Sequence, residues 1–470
     1  MATISSPGIG SGLDVRSIVS QLVAIERQPL GKLQVQAATV QSRISAFGQI
    51  KSLISALSDA ASSLNSLTTY NAVKVSSSNS KAVSASAIGG TATNSFAVKV
   101  DKLAKAQDTA SDALLPVGGA IGAGTIRLQP GKWTQAPTLF TPQVGTSPVD
   151  IVVGAADTVS DVASKINGAN AGVSATVLND SSGQRLLLRA TSTGEAAGFE
   201  LSVVSDADGL PADAAGLSRL VVGASINYGE DAAIQINGIA VTSASNTFTD
   251  VVSGVTLTAG ELSATAVEVT VQPDSGVAKA AVDRFVSAYN AVNQLLNDLT
   301  KYDPATKTGG LLQGDTTAVG FQSSLRGMLQ STTSGSAYAR LADIGVTQVL
   351  GGNLSVDSAK LNTALANGDE VKKLLRNDNG DALTNGVALK FKTFSQGVLA
   401  SDGFFGTKDA ALKRSLELNG KDQTRLTEKV ARIEAQLNRR YNALDVQLNS
   451  LNALNSYITQ QVAQWNRSTA

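Results

Sequence analysis

Apolar residues recur with a helical period at both ends of this chain and alternate with polar ones in its middle. Near the start, Asp14 is placed to cap a helix whose apolar positions run Ile18, Leu22 and Ile25. Pro29 and Gly31 then predict a break or kink. A second helical run sets Leu33, Ala37, Val40, Ile44, Phe47, Ile50, Ile54, Leu57, Ala61 and Leu64 at steps of 4, 3, 4, 3, 3, 4, 3, 4, 3, a heptad-like seam with one discontinuity. The C-terminal run is longer: Leu426, Val430, Ile433, Leu437, Tyr441, Leu444, Leu448, Leu451, Asn455, Ile458, Val462 and Trp465. Its steps are 4, 3, 4, 4, 3, 4, 3, 4, 3, 4, 3, with one stutter where two fours adjoin. Forty such residues make a helix about 60 Å long, and its narrow seam predicts association with another helix. Asn455 is the kind of polar seam residue that fixes register or oligomer state.

The middle, roughly 71–272, reads as β-rich. Phe96–Asp101 and Ala232–Asn237 alternate as strands do, and Asn237-Gly238 predicts a hairpin turn into Ile239-Ala-Val. A mixed unit is expected near 150–190. Val149–Val153 is a strand there, Thr158 caps a short helix carrying Val159, Val162 and Ile166, and strands follow at Val173–Leu178 and Arg185–Arg189. Gly/Pro-rich breaks at Pro116–Gly124 and Gly209–Gly216 suggest an inserted subdomain. From 275 the pattern is helical again, with Val277, Ala281, Phe285, Ala288, Val292, Leu295 and Leu299 on one face until Tyr302-Asp303-Pro304 ends it. If the terminal helices pair, the chain goes out along one and returns along the other. Each helical domain is then assembled from two distant pieces of sequence.

Composition narrows the chemistry. Histidine and cysteine are both 0, which removes disulfides, thiolate nucleophiles, Ser-His-Asp triads and His or Cys metal ligands. Absent cysteine also suits a protein threaded unfolded through a channel to an oxidising exterior. Lys+Arg and Asp+Glu are both 38, so no basic footprint points to nucleic acid or a membrane surface. Charged residues are only 16% of the chain, and a surface hydrated largely by hydroxyls and amides suits packing many copies side by side. No apolar run approaches the roughly eighteen residues of a membrane span. Met1–Gly10 lacks the basic and apolar regions of a cleaved leader, which leaves cytoplasmic residence or export without one.

The remaining motifs are weak. Gly8-Ile-Gly10-Ser-Gly12 and Gly119-Ala-Ile-Gly122-Ala-Gly124 lack the strand–turn–helix setting of a phosphate or dinucleotide loop. Asp206-Ala-Asp208-Gly209 lacks the terminal Glu of a calcium loop, and Asp378-Asn-Gly380-Asp381 is a turn. Lys429, Arg432, Arg439 and Arg440 interleave with Glu428, Glu434 and Asp445 as a solvated helix face. Catalytic, cofactor-binding and metal residues are therefore expected to be none.

An ordered series of segments along nearly the whole chain resembles the flagellar hook-associated protein 2 family, the filament caps. It comprises Ile4–Val15 with Leu22–Leu30, Thr158–Gly194, Ile236–Ile239 with Asn246–Leu257, Gly310–Asp315, Leu341–Val346, Gly352–Leu361 and Tyr441–Leu448. The Thr158–Gly194 segment is similar to a motif shared by flagellin-related hook proteins.

The resemblance implies a multidomain α+β chain with coiled-coil-like helical legs at both termini and inserted β-rich head domains. Its segments would be terminal helices at 1–40 and 425–470, disordered until assembled; a helical leg domain at 41–78 and 273–424; a β-rich head at 79–112 and 228–272; and a second head inserted at 113–227. It implies a non-enzymatic protein exported by the flagellar type III apparatus with an uncleaved, disordered N-terminal signal. Such a protein forms a homo-oligomeric ring at the extracellular filament tip and promotes polymerisation of exported flagellin. Implied partners are further copies of itself, flagellin at the filament end, a flagellar export chaperone and, as an added adhesive role, host mucin or glycans. Leu426, Val430, Ile433, Leu437, Tyr441, Leu444, Leu448, Leu451, Asn455, Ile458 and Val462 form the expected assembly seam. Alternatives are another axial component (a junction protein or flagellin), a secreted adhesin, and a cell-wall hydrolase, for which no paired-carboxylate cleft is evident.

Overall fold

The computed structural model describes residues 14–135 and 138–468, with side chains through 465 at the C-terminal end. The flexible start expected around Gly8–Gly12, with the N-terminal signal, lies outside the described residues. The chain divides into two compact units, one made of its two ends (through Thr69, and again from Ser275) and one of residues 70–274. The described helices are α1 (Val15–Leu64), α2 (Leu67–Tyr70), α3 (Val159–Ala169), α4 (Ser275–Thr300), α5 (Thr316–Gln330), α6 (Ser358–Leu365), α7 (Gly368–Arg376), α8 (Val387–Leu399) and α9 (Phe404–Ser468).

The unit built from the ends is helical. Asp14 caps α1 by accepting from the Ser17 amide at 3.0 Å. Contrary to expectation, α1 runs unbroken through Pro29 and Gly31. The carbonyl that Pro29 deprives of a donor belongs to Ile25, in an exposed stretch where water can serve it. Contacts with α9 brace the helix on either side: Arg27 meets Glu434, and the Asn419 side-chain amide donates to the Leu33 carbonyl at 3.1 Å.

Further along α1, Phe47, Ile50, Ile54, Leu57, Ala61 and Leu64 are buried, as their spacing predicts. They sit in a core shared with α4 and α8. On α4 the buried arc is wider than expected and rotated: Val277 is exposed, whereas Ala278, Val282, Val286, Tyr289, Asn293 and Leu296 are buried beside Ala281, Phe285 and Val292. The reason is tertiary. Helices α1, α5 and α6 all pack against α4, and a single stripe cannot serve three neighbours. Phe391 of α8 closes this core, edge-on to Phe285 at 5.0 Å and to Tyr289 at 6.2 Å.

The second unit holds two β cores. In the first, a five-stranded antiparallel sheet runs in the spatial order Val73–Ser77, Val267–Pro273, Asn94–Lys102, Ala232–Ile236, Ile239–Ser243. A three-stranded sheet (Thr247–Val252, Val255–Ala259, Val83–Ala87) shares its core, where Phe96, Val98, Val100, Ile234, Phe248, Leu257 and Val269 are buried. The hairpin expected at Asn237-Gly238 is present. Both residues have positive φ, 49° and 85°, the pair a two-residue turn of this hand requires.

The other core lies among two four-stranded sheets and α3. Strands Val149–Val153, Val173–Asp180 and Gly183–Ala190 appear where the alternation placed them. Thr158 and Asp161 form a reciprocal capping box at the start of α3, and the Thr158 backbone N–H holds the Asp161 carboxyl below its usual range. Val162 and Ile166 then face Ile126, Leu128, Leu186 and Leu188 in a closed apolar interior. The long strand Gly124–Gln135 is the spine of its sheet, pairing with Gly198–Asp206 on one side and Val149–Val153 on the other.

Candidate functional site

No cluster of acidic side chains suitable for a metal ion occurs among the described residues, and no described helix is long and apolar enough to cross a membrane. The feature that stands out is instead the pairing of α1 with α9. The two helices run antiparallel, since Leu33 meets Asn419 while Arg27, nearer the start of α1, meets Glu434 further along α9. Their seam is narrow. Val15, Val19 and Val23 are buried against Val430, with Leu426, Leu437 and Tyr441 packed around them.

The α1 face used here differs from the expected one. Leu22 and Ile25 are exposed and Ile18 is half-buried, because the valine stripe, rotated by about 100°, meets α9 instead. Valine side chains are short and let the two helices approach closely. The regular spacing of Val15, Val19 and Val23 was the available signal, and the larger Ile and Leu residues beside them masked it.

The expected seam on α9 divides in two. Leu426, Val430, Leu437 and Tyr441 come together with the α1 valines, and Ile433 is half-buried nearby. Leu444 is exposed and Leu448 half-buried. Leu451, Asn455, Ile458 and Val462 are exposed, the apolar three by 50–58%. Leu454 and Tyr457, which the seam did not include, are also exposed, so the apolar stripe continues past Asn455 on its flank. From 446 to 465 every described residue but Leu448 is exposed.

Helix α9 is anchored firmly at its other end. Phe405 is buried against Phe47 and Phe321, and Lys408 lies 5.4 Å over the Phe47 ring. The Lys408 ammonium also pairs at 2.8 Å with Asp315, which in turn caps α5 by accepting from the Thr317 and Ala318 amides. Farther out, the cross-links between α1 and α9 are exposed ion pairs, Arg27–Glu434 at 3.5 Å and Lys429–Glu26 at 3.7 Å. Such pairs contribute about 0–1 kcal/mol each. Stability therefore falls along α9 from a packed aromatic root to a thin valine seam and then to an exposed apolar stripe.

The root carries a pH dependence. Burial pushes the Asp315 carboxyl up, but the Lys408 ammonium and the α5 amides outweigh it and hold the carboxyl below its usual range. A depressed carboxyl stabilises the fold above its unfolded pKa, and that stability is lost as pH falls through the folded value. Asp315→Ala, which strands the Lys408 charge and removes the cap, is expected to cost about 3 kcal/mol at pH 7. Asp315→Asn keeps a capping oxygen and should cost less, while flattening the acid limb of stability against pH. Urea titrations between pH 3 and 7 measure both. An unchanged acid limb in the Asn variant would reject the assignment.

Comparison with known proteins agrees with this architecture. The family model described as flagellar hook-associated protein 2 N-terminus matches residues 11–107, and its C-terminus counterpart matches 229–453. The flagellin hook IN motif matches 140–192. The chain is 29% identical to flagellar hook-associated protein 2 of Escherichia coli strain K12 and 28% identical to the B-type protein of Pseudomonas aeruginosa, each match covering 98% of both chains. Among solved structures, the D1-D2-D3 domains of the flagellar cap protein FliD from Escherichia coli align with a TM-score of 0.59 at 26% identity, covering 78% of this chain and 99% of that one.

Proposed function

The chain belongs to the flagellar hook-associated protein 2 family, and from that premise we propose that it caps the flagellar filament, self-associating at the tip and promoting the polymerisation of exported flagellin. The observation that carries this reading is the exposed apolar stripe of α9 beyond the valine seam. A helix of this kind has too little cover of its own and gains stability by packing on another helix. In this reading Leu444, Leu448, Leu451, Asn455, Ile458 and Val462 engage neighbouring subunits or the filament end, while Leu426, Val430, Ile433, Leu437 and Tyr441 hold α1. Residues 1–40 and 425–470 act as the adjustable legs, ordering fully on assembly. The β-rich segments 79–112 with 228–272, and 113–227, form the head domains.

The mechanism follows from how weak each contact is. A cap must release and re-engage each time a subunit is added beneath it. Several copies joined by marginal helix contacts stay together through avidity while any one leg moves. Before assembly the same stripe needs cover, which is the part a flagellar export chaperone would play. Contact with host mucin or glycans is a second role, supported by one feature: Trp133 is half-exposed beside Phe140 at 5.0 Å and Tyr228 at 5.7 Å, an aromatic group on which a ring could stack.

Complementation of a motile strain lacking its own cap tests the principal reading. The wild-type chain is expected to restore filaments and reduce free flagellin in the medium. The double variant Ile458→Asp/Val462→Asp should secrete normally yet leave filaments short and flagellin unpolymerised. Filaments of normal length from the double variant would reject the role given to the stripe.

A further inference from the structure

We propose that the cleft between α5 and α8 is a binding site for a small anionic amphiphile, an alkyl or aryl group carrying a carboxylate or sulfonate. The inference is independent of the role at the filament tip, because the cleft lies away from the α1–α9 seam. Its volume is about 450 Å³, within the range of small-ligand sites. Its apolar walls are Met328 of α5, Phe394 of α8, and Ala382 with Leu383 on the turn before α8. Leu383 is 78% exposed there, an unusual position for a leucine on a turn. Methionine at the wall lets the cavity adapt to ligands of different outline.

The charged end of the site is Lys390, which lines the cleft although its side chain is almost wholly buried, at 9% exposure. Its ammonium donates to the Ser331 hydroxyl at 2.9 Å and to the Thr332 carbonyl at 2.8 Å. An ammonium has three donors, so one remains uncommitted. Both partners are neutral oxygens. Burial holds Lys390 below the usual lysine range, and the charge of Asp381 on the nearby turn only partly opposes this. A buried cation whose partners are all neutral is costly, and an anion entering the cleft would relieve that cost. The apolar walls take the body of the ligand, and the remaining N–H of the Lys390 ammonium takes its head, since the Ser324 and Ser331 hydroxyls already donate to the Gly320 and Met328 carbonyls.

Two dyes with one aromatic body separate the parts of this proposal in the full-length protein. 1-Anilinonaphthalene-8-sulfonate carries the anion, and N-phenyl-1-naphthylamine lacks it. Fluorescence titration is expected to show one saturable site that prefers the sulfonate about tenfold or more. Lys390→Met should abolish that preference and leave the neutral dye unchanged. Gly327→Phe should abolish binding of both, because a Cβ at Gly327 meets nothing within 4 Å and the added ring fills the cleft without disturbing α5. Circular dichroism melts check that each variant is folded, and either variant alone decides the matter. Dodecanoate should displace the sulfonate from the wild type and not from Lys390→Met. Absence of saturable binding, a sulfonate preference retained by folded Lys390→Met, or dye binding retained by folded Gly327→Phe overturns the proposal and assigns the dye to another apolar surface such as the α9 stripe.

Discussion

Deleting residues 426–470 is expected to abolish filament capping while leaving the β-rich unit as stable as in the full chain. The deletion removes Val430 and its neighbours, so Val15, Val19 and Val23 lose the side chains that bury them. The start of α1 should then fray back toward the core at Phe47, since a short helix with an uncovered apolar face is marginal in water. None of the deleted residues belongs to either β core, both of which draw on residues within 73–271. The measurement is a pair. Amide hydrogen exchange should lose protection over 15–33 and keep it over 94–102 and 183–190. Complementation in a capless strain should give no filaments. Normal filament growth with this deletion would remove the legs from the mechanism, and lost protection in the β strands would show that the two units are not independent.

Phe391→Ala is expected to be the most damaging single substitution in the helical unit. Phe391 is fully buried and meets Phe285 and Tyr289 edge-on, so its removal opens a cavity between α4 and α8. A Phe-to-Ala change in such a site costs about 3–5 kcal/mol. At about 2–4 °C per kcal/mol for a unit of this size, the helical transition should fall by roughly 10 °C. Differential scanning calorimetry resolves the outcome if the β-rich unit melts separately and unshifted. A drop of a degree or two would mean that the aromatic cluster collapses around the gap.

Local chemistry was largely legible in the sequence. Asp14 and Thr158 cap the helices their positions indicate, and Asn237-Gly238 makes the turn its backbone preference demands. These signals need only neighbours in sequence. What escaped depends on partners far along the chain. Pro29 reads as a break until α9 is seen bracing both sides of it, and the valine face of α1 is chosen by Val430 rather than by hydrophobicity. The C-terminal heptads begin at Leu426, yet α9 starts at Phe404, because its root is fixed by Phe405 and Lys408 against Phe47, Phe321 and Asp315. On α9 itself the seam was visible, but not that Val430 alone of the seam residues would be buried.

The way the chain leaves the helical unit at Thr69 and returns at Ser275 has a consequence in time. A polypeptide delivered from one end presents the whole of residues 70–274 as one continuous stretch, able to fold as soon as it has emerged. The helical unit is different. Helix α1 emerges hundreds of residues apart from α4, α8 and α9, and loop-closure entropy disfavours their meeting until both ends are free. Folding of that unit therefore reports that delivery is complete. A chain stalled partway would display a finished β unit tethered to an unfinished helical one, and its terminal helices would be the last part to become competent for assembly.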